Sequence, residues 1–242
     1  MVIEMIKNAL AYVSMLGSTV VPVQYLNAAT MNDINYRVNE YITVLSSYYG
    51  AISKKQVGNL LEAEVSDDIQ HEDMLIMFIA TSGGQHKKLP HGFREVMNTV
   101  KGKGDLSLVV AYKIWLNGDP LVYPIEKSSK NYFASLITLR GPKYILDAKA
   151  RINTASGDQG LAITPRVETA NGGAVISAFA YDDPHAVNVL DQKTIVSIKN
   201  GDDGLAVGIG SSDGGLSKRI KATGDSSQRG GGNDIAMALS IY

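Results

Sequence analysis

Four histidines, His71, His86, His91 and His185, supply the chain's acid/base groups with ordinary pKa near neutrality. His86 and His91 flank Lys87-Lys88 with no third ligand close in sequence, so they make a poor metal pair and read as structural or solvent-facing loop residues. His185 closes Asp182-Asp183-Pro184-His185. That string could hold a cation or move a proton, but Asp-Pro is also a common turn starter, and a polar loop is the stronger reading. Asn200-Gly201-Asp202-Asp203-Gly204 presents a similar choice. Asp202, Asp203 and Asp213 could offer oxygen ligands to calcium, although the EF-hand ladder is absent. Asn-Gly between two apolar runs is a type I′ hairpin signal, which is the reading preferred here.

Nucleotide and nucleophile chemistry find less support. In Gly208-Ile209-Gly210-Ser211-Ser212-Asp213-Gly214-Gly215 the third glycine is displaced from a dinucleotide fingerprint and no βαβ unit surrounds it. The stretch 224–232 lacks the Lys-Ser/Thr ending of a phosphate loop. Both are expected to be loops, the second at a sheet end where a binding surface would lie. There is no His-Glu-x-x-His helix. The chain has no cysteine, which excludes disulfides, thiolate metal sites and Cys nucleophiles. A glycosidase carboxylate pair is assembled in space and leaves no short motif. The expectation is a protein that is not an enzyme, with no catalytic, cofactor-binding or metal site.

The elements that would position these groups are short strands. Met74 to Ala80 and Leu106 to Trp115 are apolar at nearly every position, which suits central strands covered on both faces. Leu89 to Phe93, Asp119 to Tyr123 and Tyr132 to Gly141 add further apolar runs closed by Gly, Pro and Asp. The C-terminal half repeats the pattern at 161–167, 174–181, 194–199, 205–209 and 235–242. In the last of these Ile235, Met237, Leu239 and Ile241 alternate with Ala236, Ala238, Ser240 and Tyr242, so the large and the small side chains take opposite faces. The fold expected is mainly β, an antiparallel sandwich of jelly-roll or immunoglobulin-like type over 67–242.

Several of these pieces together resemble a known group. Glu72-Asp73 before an apolar run, Pro90-His91-Gly92-Phe93, Tyr112-Lys113, Asp119-Pro120 with Tyr123, and Arg140-Gly141 are similar to the β-sandwich modules of tailed-bacteriophage virion proteins, in tail, fibre and decoration components. Thr164-Pro165, Gly172-Gly173-Ala174 and the strand from Asn233 to Leu239 extend the likeness more loosely. Phe93 stands where such modules often carry Trp. The resemblance implies a virion part, made in the host cytoplasm, with other virion proteins as partners and no catalytic residues. It points first to the tail, collar or fibre. Capsid decoration and a carbohydrate-binding host-recognition module, with a host surface glycan as partner, are the alternatives. A lectin would need exposed loop aromatics, and the single Trp, Trp115, lies in a strand.

The segment 1–66 stands outside the resemblance and reads as an anchor. Its start faintly resembles a signal peptide, but Glu4 offsets Lys7 and no small-x-small cleavage site follows, so the segment is expected to be retained. From Thr30 to Tyr49 the spacing of Met31, Ile34, Val38, Tyr41, Leu45 and Tyr48 alternates between three and four, the signature of an amphipathic helix. Thr30 with Asp33 would cap its start and Gly50 its end. Such a seam could join copies into a homo-oligomer, a trimer by preference, or lie on the chain's own sandwich. Asp at Ile34 and Val38 would then abolish assembly and leave the sandwich folded.

Composition sets outer bounds. The 242 residues are 45% hydrophobic and 19% charged, with 24 Gly to only 7 Pro, ordinary for a globular chain with many tight turns. A net charge of −1 supplies no field to draw nucleic acid or an anionic membrane. No apolar run approaches the ~20 residues that span a bilayer, so neither nucleic acid nor membrane insertion is expected.

Overall fold

A computed structural model of the chain describes residues 24–25, 30–52, 60–84, 86, 88–102, 106–126, 131–153, 161–182, 188–200, 203–223 and 234–242. All the regular structure among them is β. The first large sheet holds β2 (Thr30–Arg37), β3 (Thr43–Ile52), β5 (Met74–Ser82), β6 (Arg94–Lys101), β7 (Leu106–Ile114) and β9 (Asn131–Arg140), in the order β2-β3-β9-β5-β7-β6. The second holds β1 (Gln24–Tyr25), β10 (Ile145–Asn153), β12 (Glu168–Asp182), β14 (Lys193–Asn200), β15 (Asp203–Leu216) and β17 (Asp234–Ile241), in the order β1-β14-β15-β12-β17-β10. Every pairing is antiparallel except that of β1 with β14.

The two sheets stack because their strands carry an apolar residue on most inward positions, with buried Ser47 donating across to the Ile195 carbonyl. In β5 the period of two sends Met74, Ile76, Phe78 and Ala80 inward, where they meet Ile176, Ala178, Val207, Met237 and Leu239 of the other sheet. Strands face one another in sequence across this core: β14 lies over β3, β15 over β9 and β5, β12 over β5 and β7, and β10 over β6. That matched order is the mark of aligned face-to-face packing.

The outward faces are also apolar, so each sheet needs a cover. Leu75, Met77 and Ile79 of β5 with Val109 and Leu136 are buried beneath a two-stranded ribbon, β4 (Leu60–Glu64) and β8 (Val122–Glu126). The ribbon turns Leu61, Ala63, Tyr123 and Ile125 inward and Glu62, Glu64 and Glu126 to solvent. On the far side, Phe179, Tyr181, Ala206 and Ala236 lie under β11 (Leu161–Ile163), β16 (Lys221–Thr223) and β13 (Asn188–Val189). The result is four layers, a stack of two sheets with a small cover on each outer face. It explains why β5 is buried along all but its last residue. The open edges β6 and β10 carry Arg94, Glu95, Lys101, Asp147, Lys149 and Arg151, charges that disfavour edge-to-edge pairing.

Three sequence expectations are corrected. First, residues 30–49 are not a helix: Thr30–Arg37 and Thr43–Ile52 are strands joined by a turn. The stretch is rich in Val, Ile, Thr and Tyr, and β3 is buried along almost its whole described length, so an apolar residue falls at any spacing, three or four included. Thr30 pairs with Tyr49 and Gly50 with Ala134, in ladders where a cap and a stop were expected. Residues 30–52 and 60–64 therefore belong to the stack itself; residues 1–23, 26–29 and 53–59 lie outside the described residues. Second, Gly208–Gly215 belongs to β15 and is no loop. Its glycines admit the covering layer, since a Cβ at Gly208 would come within 2.7 Å of Val189. Third, each large sheet is drawn from one half of the chain, β1 apart. Jelly-roll and immunoglobulin-like chains exchange strands between sheets, whereas here only the link from β9 to β10 and the early β1 connect the two.

Candidate functional site

The side chains with chemical potential are tied into the framework. Asp73 accepts hydrogen bonds from Arg140 at 3.2 and 2.9 Å and from the amide of Gln70 at 2.8 Å, with 5% of its side chain exposed. Arg140 also donates to the carbonyl of Asp68. His86 is buried, with Nδ1 2.7 Å from the hydroxyl of Tyr132. Burial holds its pKa below the usual histidine value, against an opposing hydrogen bond at the Lys88 backbone. His91 is exposed, and His71 accepts from the amide of Asn117 at 3.3 Å.

Of the aspartates weighed for calcium, Asp203 and Asp213 do not meet. Asp203 and Asp213 stand ten residues apart on β15, on the order of 30 Å along a strand. Asp203 is buried and accepts a hydrogen bond from Asn131, while Asp213 is exposed. Asn200 pairs with Asp203, which makes β14–β15 the hairpin that Asn200-Gly201 anticipates. Asp202, residues 183–187 and residues 224–233 lie outside the described residues. Among the described ones, no three His, Asp or Glu side chains gather where they could hold a metal ion.

Several of the residues that carry the virion resemblance converge. Lys113 at the end of β7 bonds Asp119 at 2.9 Å and lies 5.8 Å over the ring of Tyr123. Phe93 meets Tyr123 edge to face at 5.1 Å, and Trp115 donates from Nε1 to the carbonyl of Pro120 at 3.3 Å. Gly92, at φ +85°, sits against Lys113, whose Nζ would be 2.5 Å from any Cβ there. Burial opposes ionisation of Asp119, but the Lys113 hydrogen bond, the Leu116 amide and the Lys113 charge outweigh it and hold the carboxyl below its usual value. Four scattered sequence fragments thus fasten the β4–β8 ribbon to the first sheet.

The surface that stands out lies at the end of the stack where β9 crosses to β10. Asn39, in the β2–β3 turn, donates from Nδ2 to the carbonyls of Gly172 at 3.1 Å and Gly173 at 2.9 Å. Its Oδ1 accepts from the amides of Tyr41 and Ile42, each at 2.8 Å. One side chain therefore closes its own turn as an Asx motif and clasps the bulge of β12 in the opposite sheet. Gly141, at φ +111°, lets the chain pass the Tyr41 carbonyl; a Cβ there would lie 1.9 Å from that oxygen. At Gly172, φ +77°, a Cβ would come to 3.0 Å of the Tyr41 ring.

This clasp sets three tyrosines side by side. Tyr41 is 63% exposed, Tyr144 47% and Tyr242 45%. Tyr144 and Tyr242 exchange backbone hydrogen bonds at 3.0 and 3.1 Å, and their rings lie 5.7 Å apart at 56°. Gly172, half-buried, underlies Tyr41, and Gly173, buried, adjoins Tyr242, so the Gly-Gly step lies between these two residues. A hydrogen bond to Glu40, followed by its charge, raises the pKa of Tyr41. The rim carries the Lys143–Glu72 ion pair at 2.7 Å.

The six residues proposed as a helix seam are dispersed by this arrangement. Ile34 and Val38 pack on the central core, Met31 and Tyr48 on the core under the β4–β8 ribbon, Leu45 is buried, and Tyr41 faces solvent in the tyrosine cluster. They form no common stripe. Sequence reasoning weighed only Trp115 as an aromatic platform, and Trp115 is buried against Pro120. The available signal was the 12 tyrosines, two of the three beside turn residues at Asn39-Glu40 and Gly141-Pro142.

Fold and surface together define a mainly antiparallel β protein. No protein-family model matches the chain, and no curated protein matches it either.

Proposed function

We propose that the chain is a non-enzymatic structural component of a tailed-bacteriophage particle, associated with the tail, collar or fibre and present in several copies. The observation that carries this reading is the convergence of Gly92, Phe93, Lys113, Asp119 and Tyr123 on one fastening. These residues carry part of the resemblance to virion modules, and their meeting in space supports reading them as one unit. The commitment of Asp73, Arg140, His86 and Asp119 to hydrogen bonds within the framework supports a part whose work is to hold shape. The role is geometric: a body buried in four layers keeps its turns and edges in fixed positions for neighbouring subunits.

The test is composition of the particle. Particles purified from the host that encodes the chain, analysed by quantitative mass spectrometry and immunogold electron microscopy, should contain it at a fixed copy number on the tail. Its absence from particles, or hydrolysis of capsule or peptidoglycan by the purified chain, would refute the assignment.

A further inference from the structure

We infer that Tyr41, Tyr144 and Tyr242, grouped about the Gly172-Gly173 step, form a binding site for the sugar rings of an oligosaccharide. Half-exposed aromatics on a rigid frame are costly to leave against water, and patches of this kind mark interaction sites. The frame is rigid for reasons already given. Asn39 clasps the Gly172-Gly173 step from the other sheet, Gly141 fixes the Tyr41 backbone, and Tyr144 and Tyr242 share a two-way backbone bond.

Size selects the ligand class. At ~150–250 Å2 per aromatic side chain, the exposed fractions leave on the order of 300 Å2 of ring surface. A stable protein partner needs ~800 Å2 on each side, well above that. One or two pyranose rings match it. Their C–H faces are apolar and can stack on a tyrosine ring, while their hydroxyls need donors and acceptors at the edge. The tyrosine hydroxyls, Glu40 and the exposed Lys143–Glu72 pair supply both kinds. Gly172 beneath Tyr41 has no side chain to block the approach, and side chains of both signs at the rim suit a neutral polyol better than a charged chain. Tyr41 is fixed by its backbone and its ring projects outward, so truncating it removes contact area and leaves the core intact.

The inference does not depend on the particle assignment. The experiment is a titration of the purified full chain with chitohexaose, cellohexaose and maltohexaose, followed by isothermal calorimetry and saturation-transfer NMR, with decaproline as the peptide control. The expected result is saturable millimolar or tighter binding of at least one oligosaccharide, weakened about tenfold by Tyr41→Ala and by Tyr242→Ala and largely kept by Tyr41→Phe. Unchanged far-UV circular dichroism certifies that the variants are folded. Failure of all three sugars to saturate, equal binding by folded alanine variants, or saturable binding of decaproline alone would overturn it.

Discussion

Replacement of Asn39 by Ala tests the clasp that joins the two sheets at the tyrosine end. The substitution deletes four hydrogen bonds: two donated to Gly172 and Gly173, and two accepted from Tyr41 and Ile42. At ~0.5–1.5 kcal/mol net for each bond, and with Asn39 only half-buried, the loss should be about 2–4 kcal/mol. For a chain of this size that corresponds to a fall in Tm of roughly 5–15 °C. Asn39→Asp separates the two halves of the interaction. The carboxylate still accepts from the Tyr41 and Ile42 amides but has no proton to donate, and it places a charge against two carbonyl oxygens. It should therefore be at least as destabilising as the loss of the two donated bonds alone. Urea unfolding followed by circular dichroism measures both, and near-UV signal from the tyrosines should change in the folded variants because Tyr41 loses its anchor. If Asn39→Ala shifts stability by less than about 0.5 kcal/mol, or Asn39→Asp is as stable as the parent, the clasp does not join the sheets as described.

Other expectations follow from the same structure. Gly141→Ala should cost about 2–4 kcal/mol in urea unfolding, since a positive φ and contact with the Tyr41 carbonyl oppose any Cβ. Asp73→Asn should cost about 2–4 kcal/mol by the same measurement, because it leaves the Arg140 guanidinium without its buried counter-charge. His86 is held below the ordinary value of 6.5, so the unfolded chain binds its proton more readily. Stability should thus fall as pH drops from about 7 through 6.5 towards the lowered folded value, and His86→Gln should flatten that part of a Tm profile against pH. Ile34→Asp with Val38→Asp, designed on the helix reading to spare the sheets, is now expected to destabilise the stack by several kcal/mol, because both side chains pack against the central core. A doubly substituted protein with unchanged Tm would contradict that packing.

Much of the strand inventory was legible in the chain. Met74 to Ala80 and Leu106 to Trp115 lack polar alternation, and such runs must be covered on both faces; β5 and β7 sit inside their sheet with a cover outside it. The alternation after Asn233 likewise put the large and the small side chains of β17 on opposite faces, and Ile235, Met237, Leu239 and Ile241 meet the core. Local periodicity is sufficient for such statements because a strand's two faces are set by the backbone itself. It failed at 30–49, where apolar residues at spacings of three and four fit a helix although the segment is two strands, and only the pairing of β2 with β3 and of β3 with β9 decides between them. The tyrosine site was equally hidden. Tyr41, Tyr144 and Tyr242 come from a turn, a crossover and the end of a strand, and their union depends on Asn39 reaching Gly172 and Gly173, more than 130 residues away. Sequence determined which segments are extended and which faces are apolar; tertiary structure alone decided which strands are neighbours and which exposed rings share a surface, because those choices rest on contacts between residues far apart in the chain.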